Sequence, residues 1–259
     1  MIKKYFVANW KMNPKTFKEA ESLMKSYREA VKPLDAKRTK VVVASPFLFL
    51  RGLLKKNQSE KISFAGQNCF WRSEGAFTGE ISPAMLRQLG AEYVILGHSE
   101  RRKFMGESDE MINGKLKAAL KERLKVILCL GETDSPEQNS KGYFELKKGL
   151  QEGLKDIKAS NLGDIIVAYE PVWAISTNPG ARPDSPDNAL SSILYLRKLL
   201  GEMYSRPLAL KTKILYGGSV NSKNIKDYFC QEAIDGVLAG GASLNGSEAI
   251  KMLEHISEC

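Results

Sequence analysis

Short apolar runs, many of them β-branched, recur from one end of the chain to the other. They are Tyr5–Ala8, Lys40–Ala44, Ile62–Ala65, Tyr93–Leu96, Val126–Leu130, Ile165–Tyr169, Ile214–Tyr216 and Gly236–Ala239. Each has the length of a strand, and such continuous runs suit strands buried on both faces. Between them the apolar positions take up a helical period. Phe17, Ala20, Leu23, Met24 and Tyr27 form one stripe; Phe144, Leu146, Leu150, Leu154 and Ile157 form another; Leu190, Ile193, Leu194, Leu196 and Leu200 form a third. Leu86 and Leu89 mark a shorter helix, and Ile250 and Leu253 belong to the last one. Strands alternating with helices predict an α/β fold with a parallel sheet and crossover helices.

Eight such units in 259 residues match a closed (β/α)8 barrel, an architecture of typically ~250 residues. The competing architecture, a doubly wound open sheet, usually carries a glycine-rich fingerprint after its first strand. Here Asn9-Trp10-Lys11-Met12-Asn13 follows instead. No linker divides the chain, so a single barrel domain is expected over residues 1–259. Two long loops, Cys69–Glu80 and Ile175–Pro186, lie beyond strand C-termini, the functional face of such a barrel.

Composition narrows the picture by exclusion. No apolar run approaches the ~20 residues of a membrane span, and the start lacks the long apolar stretch of a signal peptide. A cytoplasmic protein is the expectation. Cys69, Cys129, Cys230 and Cys259 are widely and irregularly spaced, which indicates neither a zinc site nor a disulfide framework. With only His98 and His255 present, a multi-histidine metal site is excluded, and His255 is expected to face solvent. The net charge of +9 invites a nucleic-acid reading. The basic residues, however, are dispersed among acidic ones along the helical segments, as on a solvated surface of mixed sign. No nucleic-acid or membrane partner is expected.

Candidate chemistry gathers where the strands end. Strand one leads to Asn9 and Lys11, strand four to His98-Ser99-Glu100-Arg101-Arg102, and strand six to Glu170-Pro171. Strand seven leads to Gly217-Gly218-Ser219 and strand eight to Gly240-Gly241. In a closed barrel all of these share one mouth. A carboxylate leaving an apolar strand beside Tyr169 and Trp173 is partly desolvated. Desolvation raises proton affinity, which is how a Glu becomes a general base. Taken alone, a Glu-Pro dipeptide reads instead as a glutamate that caps a neighbouring turn or pairs with an Arg; the rest of the chain is what favours the base. Paired glycines allow close backbone approach to a phosphate, though in isolation they read as ordinary turns.

The order and wording of these segments resemble the triosephosphate isomerase family over essentially the whole chain. The likeness runs through Asn9-Trp10-Lys11-Met12-Asn13, Gly66-Gln67-Asn68, Gly75–Glu80, Gly97–Arg102 and Cys129-Leu130-Gly131-Glu132. It continues through Ala168–Ile175, Tyr216–Val220 and Gly240–Leu244. The resemblance implies a TIM barrel that interconverts dihydroxyacetone phosphate and D-glyceraldehyde 3-phosphate through an enediolate, without metal or organic cofactor. It implies Glu170 as base and His98, Lys11 and Asn9 as donors to the developing oxyanion, with Glu100 beside the lysine. Ser176, Ser219, Gly240 and Gly241 would hold the phosphate. The pairing of a carboxylate base with a neutral imidazole is a known pattern for this enzyme. A helix start at His98 would disfavour a second positive charge on its ring. Cys129 matches a family cysteine behind the base and reads as packing rather than as a nucleophile. The loop bearing Trp71, Phe77 and Thr78 resembles an interdigitating loop, which implies a homodimer with Thr78 reaching the partner's active site.

One stretch departs from the family. Ser176, Thr177, Asn178 and Pro179 stand where glycine, threonine, glycine and lysine are usual in the lid, so the lid is expected to close with altered kinetics. Two other readings of the chain are an isomerase of a larger sugar phosphate and a barrel that binds without catalysing.

Overall fold

The structure is a computed structural model that describes residues 3–57, 59–133, 141–175 and 184–259. Eight parallel strands close into a barrel in chain order, with the first strand paired to the last. They are β1 (Lys4–Asn9), β2 (Thr39–Ala44), β3 (Ile62–Gly66), β4 (Tyr93–Leu96), β5 (Lys125–Glu132), β6 (Ile165–Pro171), β7 (Lys213–Tyr216) and β8 (Gly236–Ala239). The helices around them begin with α1 (Phe17–Ala30), α2 (Phe47–Lys56), α3 (Pro83–Leu89), α4 (Ser99–Met105) and α5 (Asp109–Lys121). They end with α6 (Lys141–Gly153), α7 (Pro186–Met203), α8 (Arg206–Lys211), α9 (Ile225–Phe229) and α10 (Gly246–Ser257). All eight expected strands are present, displaced at most by a residue or two.

Local chemistry accounts for where several helices begin. Thr16 and Glu19 form a reciprocal capping box on α1. Ser82, Ser108 and Ser185 each accept a backbone N–H in the first turn of α3, α5 and α7, and Pro83 and Pro186 occupy the first helical position of α3 and α7.

The two-residue period of the strands divides the core into two shells. Val7, Val42, Ala65, Ile95, Ile127, Cys129, Ile166, Ala168, Leu215 and Leu238 fill the barrel interior. Alternate residues, such as Leu128, Leu130, Val167, Tyr169 and Tyr216, face the helices. That period has two consequences at the mouth. It puts Glu170 on the interior face above Ile166 and Ala168, and it puts Glu132 on the outer face in line with Leu128 and Leu130. The β5–β6 register sets Gly131 opposite Glu170 and Cys129 opposite Ala168.

Some expectations need correction. Phe144 and Leu194 are exposed, lying off the buried stripes of α6 and α7, whereas Leu154 and Ile157 are buried but follow the end of α6. Cys230 and Cys259 are joined in a disulfide despite a separation of 29 residues. Packing of α9 on α10 brings the end of one beside the end of the other, a juxtaposition invisible in cysteine spacing. His255 is half-buried and its Nδ1 lies 2.8 Å from the Ser222 carbonyl, because its turn of α10 faces the loop after β7. Among the described residues no helix is long and apolar enough to cross a membrane.

Candidate active site

The base candidate is held, not free. Glu170 is 1% exposed, and its Oε2 accepts the backbone N–H of Ser99 at 2.9 Å, at the first residue of α4. Its Oε1 has no hydrogen-bond partner and stands 3.3 Å from His98 Nε2. Residues leaving β6 and β4 therefore meet at one point, as the barrel predicts. His98 is the N-cap of α4, and its Nδ1 accepts the N–H of Glu100 at 3.2 Å. An accepting Nδ1 puts the proton of a neutral ring on Nε2, the nitrogen that faces the carboxylate.

Lys11 reaches the same place by a strained route. Its φ of 51° is left-handed, uncommon for a residue with a side chain. Three contacts hold it there. Its N–H donates to Asn9 Oδ1 at 3.0 Å, its carbonyl accepts from Gln67 Nε2 at 2.7 Å, and its Nζ pairs with Glu100 Oε1 at 2.5 Å. Asn9 thus braces the loop through its carbonyl end, leaving its amide N–H2 as the donating end. Gln67, which also binds the Ala44 carbonyl at 2.9 Å, is a positioning residue that the motif contained but the expected set omitted.

A cavity of about 170 Å3 opens beside these groups. Lys11, His98, Ile175, Ser219, Gly240 and Gly241 are among its lining residues. At Gly240 a Cβ would come within 3.0 Å of Lys11 Cε, so glycine there keeps the lysine's path open. Gly218 has a different reason to be glycine: a Cβ would strike Tyr216 Oη at 2.2 Å. Ser219 Oγ donates to the Ala174 carbonyl at 2.9 Å, tying the β7 loop to the segment after Glu170. Ser176 lies outside the described residues, as do Thr177, Asn178 and Pro179.

Behind the site sit two buried carboxylates that the sequence reading did not single out. Tyr169 Oη and Trp173 Nε1, expected to flank Glu170, instead both donate to Glu132 Oε1, at 2.6 and 3.0 Å. Burial pushes the Glu132 carboxyl up to about 7, against the lowering effect of those two donors. Glu107 accepts from Arg101 Nε at 2.6 Å and pairs with the buried Lys115, which also donates to Asn68 Oδ1 at 3.0 Å. Cys129 is fully buried in the interior beside Glu170. Burial and that neighbouring carboxylate raise its thiol well above the ordinary range, in keeping with packing and not attack. Among the described residues no cluster of three or more His, Cys, Asp or Glu side chains could hold a metal ion.

Comparison with known proteins decides the family. The profile described as triosephosphate isomerase matches residues 4–256. The chain belongs to the triosephosphate isomerase family. It is 42% identical over 244 residues to the triosephosphate isomerase of Dictyoglomus thermophilum, covering 94% of this chain and 96% of that one. The triosephosphate isomerase of Thermodesulfovibrio yellowstonii is 41% identical over 98% of this chain and all of its own length. That of Chloroherpeton thalassium is 39% identical over 98% of this chain and 99% of its own.

Proposed function

We propose that the cavity between β4, β6, β7 and β8 is the catalytic site, with Glu170 as the base. The activity is that of the family: an intramolecular isomerisation of dihydroxyacetone phosphate and D-glyceraldehyde 3-phosphate, a step of glycolysis and gluconeogenesis. The observation that carries the site assignment is the 3.3 Å approach of Glu170 Oε1 to His98 Nε2, at the edge of a cavity that Lys11 and the glycine pairs also line.

The carboxylate removes a proton from one carbon and returns it to the adjacent one, so a single group that reaches both suffices. Negative charge develops on the neighbouring oxygen, where His98 Nε2–H and the Lys11 ammonium are already fixed as donors. A neutral imidazole serves here as a well-matched acid for an enediolate. Glu100 holds the lysine by its ion pair, and Asn9 adds its amide. Ser219, Gly240 and Gly241, with Ser176, take the phosphate on backbone N–H groups. Glu170 must leave the Ser99 N–H to reach substrate, so binding and movement of the base are coupled.

The aromatic loop supports a homodimer. Trp71, Phe77 and Thr78 are all exposed, and Phe70 stacks with Trp71 and contacts Phe77. A cytoplasmic location fits this reading.

A coupled assay on glyceraldehyde 3-phosphate tests the reaction, and Glu170→Asp tests the base. Shortening the side chain by one methylene is expected to lower kcat by about 100-fold or more with KM little changed. Unchanged turnover would remove Glu170 from its role.

A further inference from the structure

A larger cavity opens on the flank of the barrel, away from the strand C-termini. It lies between α2 and α3 over the outer face of β3, with a volume of about 760 Å3. That is within the usual size of small-molecule sites, ~300–1,000 Å3. Leu54 of α2, Leu89 of α3, and Ile62 and Phe64 of β3 supply an apolar wall and floor.

The charged groups on its rim are unbalanced. Arg51 and Lys55 stand four residues apart on α2, so their side chains share one helix face. Both are exposed, and neither has a hydrogen-bond or ion-pair partner among the described residues. The next residue, Lys56, shows what satisfaction looks like here, since it pairs with Glu21 at 2.5 Å. The acidic group lining the cavity, Glu92, already accepts the Ser63 hydroxyl at 2.5 Å. The groove therefore offers an apolar surface and two free cations at one end.

We propose that this groove binds a small anionic amphiphile. Its apolar body lies against Leu54 and Leu89, over the buried Phe64, and its carboxylate, sulfonate or phosphate head sits between Arg51 and Lys55. A neutral hydrophobe would leave both cations unanswered, and a cationic one would be repelled by them. An anionic head satisfies both at once, with the guanidinium able to grip two oxygens. The site uses none of the catalytic residues, so its occupancy is independent of the isomerisation.

Fluorescence titration of the full chain with 8-anilinonaphthalene-1-sulfonate, an aromatic body with one sulfonate, tests this. The probe is also tested as a competitive inhibitor of turnover, so that any binding at the anion site in the barrel mouth is counted separately. One saturable site per chain is expected. Arg51→Glu with Lys55→Glu should raise its Kd at least tenfold while turnover stays unchanged. Gln88→Trp, at an exposed rim position, should weaken binding by filling the groove. Decanoate should displace the probe and decylamine should not. Probe affinity indifferent to both variants would overturn the proposal, as would equal displacement by the amine. Binding confined to vesicles of anionic lipid, with none of monomeric decanoate, would overturn it in favour of a membrane contact.

Discussion

Glu132 shows how much a single residue's surroundings can decide. One of its oxygens takes both neighbouring donors, and the other is buried with no hydrogen-bond partner. Its folded-state pKa of about 7 lies above the ordinary carboxylate value, so folding favours the protonated form. The stabilising contribution is then fully present below the unfolded pKa, and it is lost as pH rises through 7. The shift corresponds to something on the order of 3 kcal/mol across that window. Thermal melts of the wild type between pH 5 and pH 8 should show this loss, and Glu132→Gln should flatten the slope. An identical pH slope in the variant would refute the assignment. The sequence held this residue in plain view, within Cys129-Leu130-Gly131-Glu132, yet gave no sign of its partners. The strand period shows why: Glu132 points outward with Tyr169, away from the interior face that carries Glu170. Proximity in sequence put Tyr169 and Trp173 beside Glu170, and the fold turned both toward Glu132 instead.

At the scale of elements, the strands were readable because their apolar runs are continuous, and the meeting of Glu170 with His98 was readable because barrel topology gathers strand ends. What stayed hidden were contacts between elements far apart in sequence. Glu107, before α5, joins Arg101 of α4 and Lys115 of α5, and the lysine in turn holds Asn68 after β3. This buried brace sits behind the helix that carries His98. Glu107→Ala leaves Lys115 charged and buried without its partner. The expected loss is about 3–5 kcal/mol, read as a fall in the denaturation midpoint. Retention of wild-type stability would show that the brace is dispensable. The Cys230–Cys259 disulfide belongs to the same class of hidden contact. It closes a loop of 29 residues, so chain-entropy arguments give a stabilisation of about 3–4 kcal/mol. Cys230→Ser should lower the melting temperature of non-reduced protein and leave it insensitive to dithiothreitol. A melting temperature equal to that of the oxidised wild type would contradict the tether's role.

For the whole molecule, the distribution of exposed apolar residues is the informative feature. Met12 is 92% exposed and Leu48 89%, the first in the loop after β1 and the second at the start of α2 just beyond β2. Phe77 and Trp71, in the loop after β3, and Met85 on α3 are exposed as well. These residues follow three consecutive strands on the side of the barrel that carries the candidate site, whereas scattered single apolar residues would need no explanation. In the homodimer proposed above, a second copy of the chain, with the same loops on each side of a twofold axis, would cover such a surface. Met12 and Lys11 are adjacent in sequence, so burying one constrains the left-handed turn that presents the other. The homodimer would then support catalysis through Lys11 as well as through the reach of Thr78. Met12→Asp with Leu48→Asp should shift the gel-filtration mass from dimer to monomer and lower kcat at least tenfold, with far-UV circular dichroism unchanged. Full activity in a monomeric variant would separate assembly from catalysis, and a wild type that elutes as a monomer at assay concentration would remove the dimer itself.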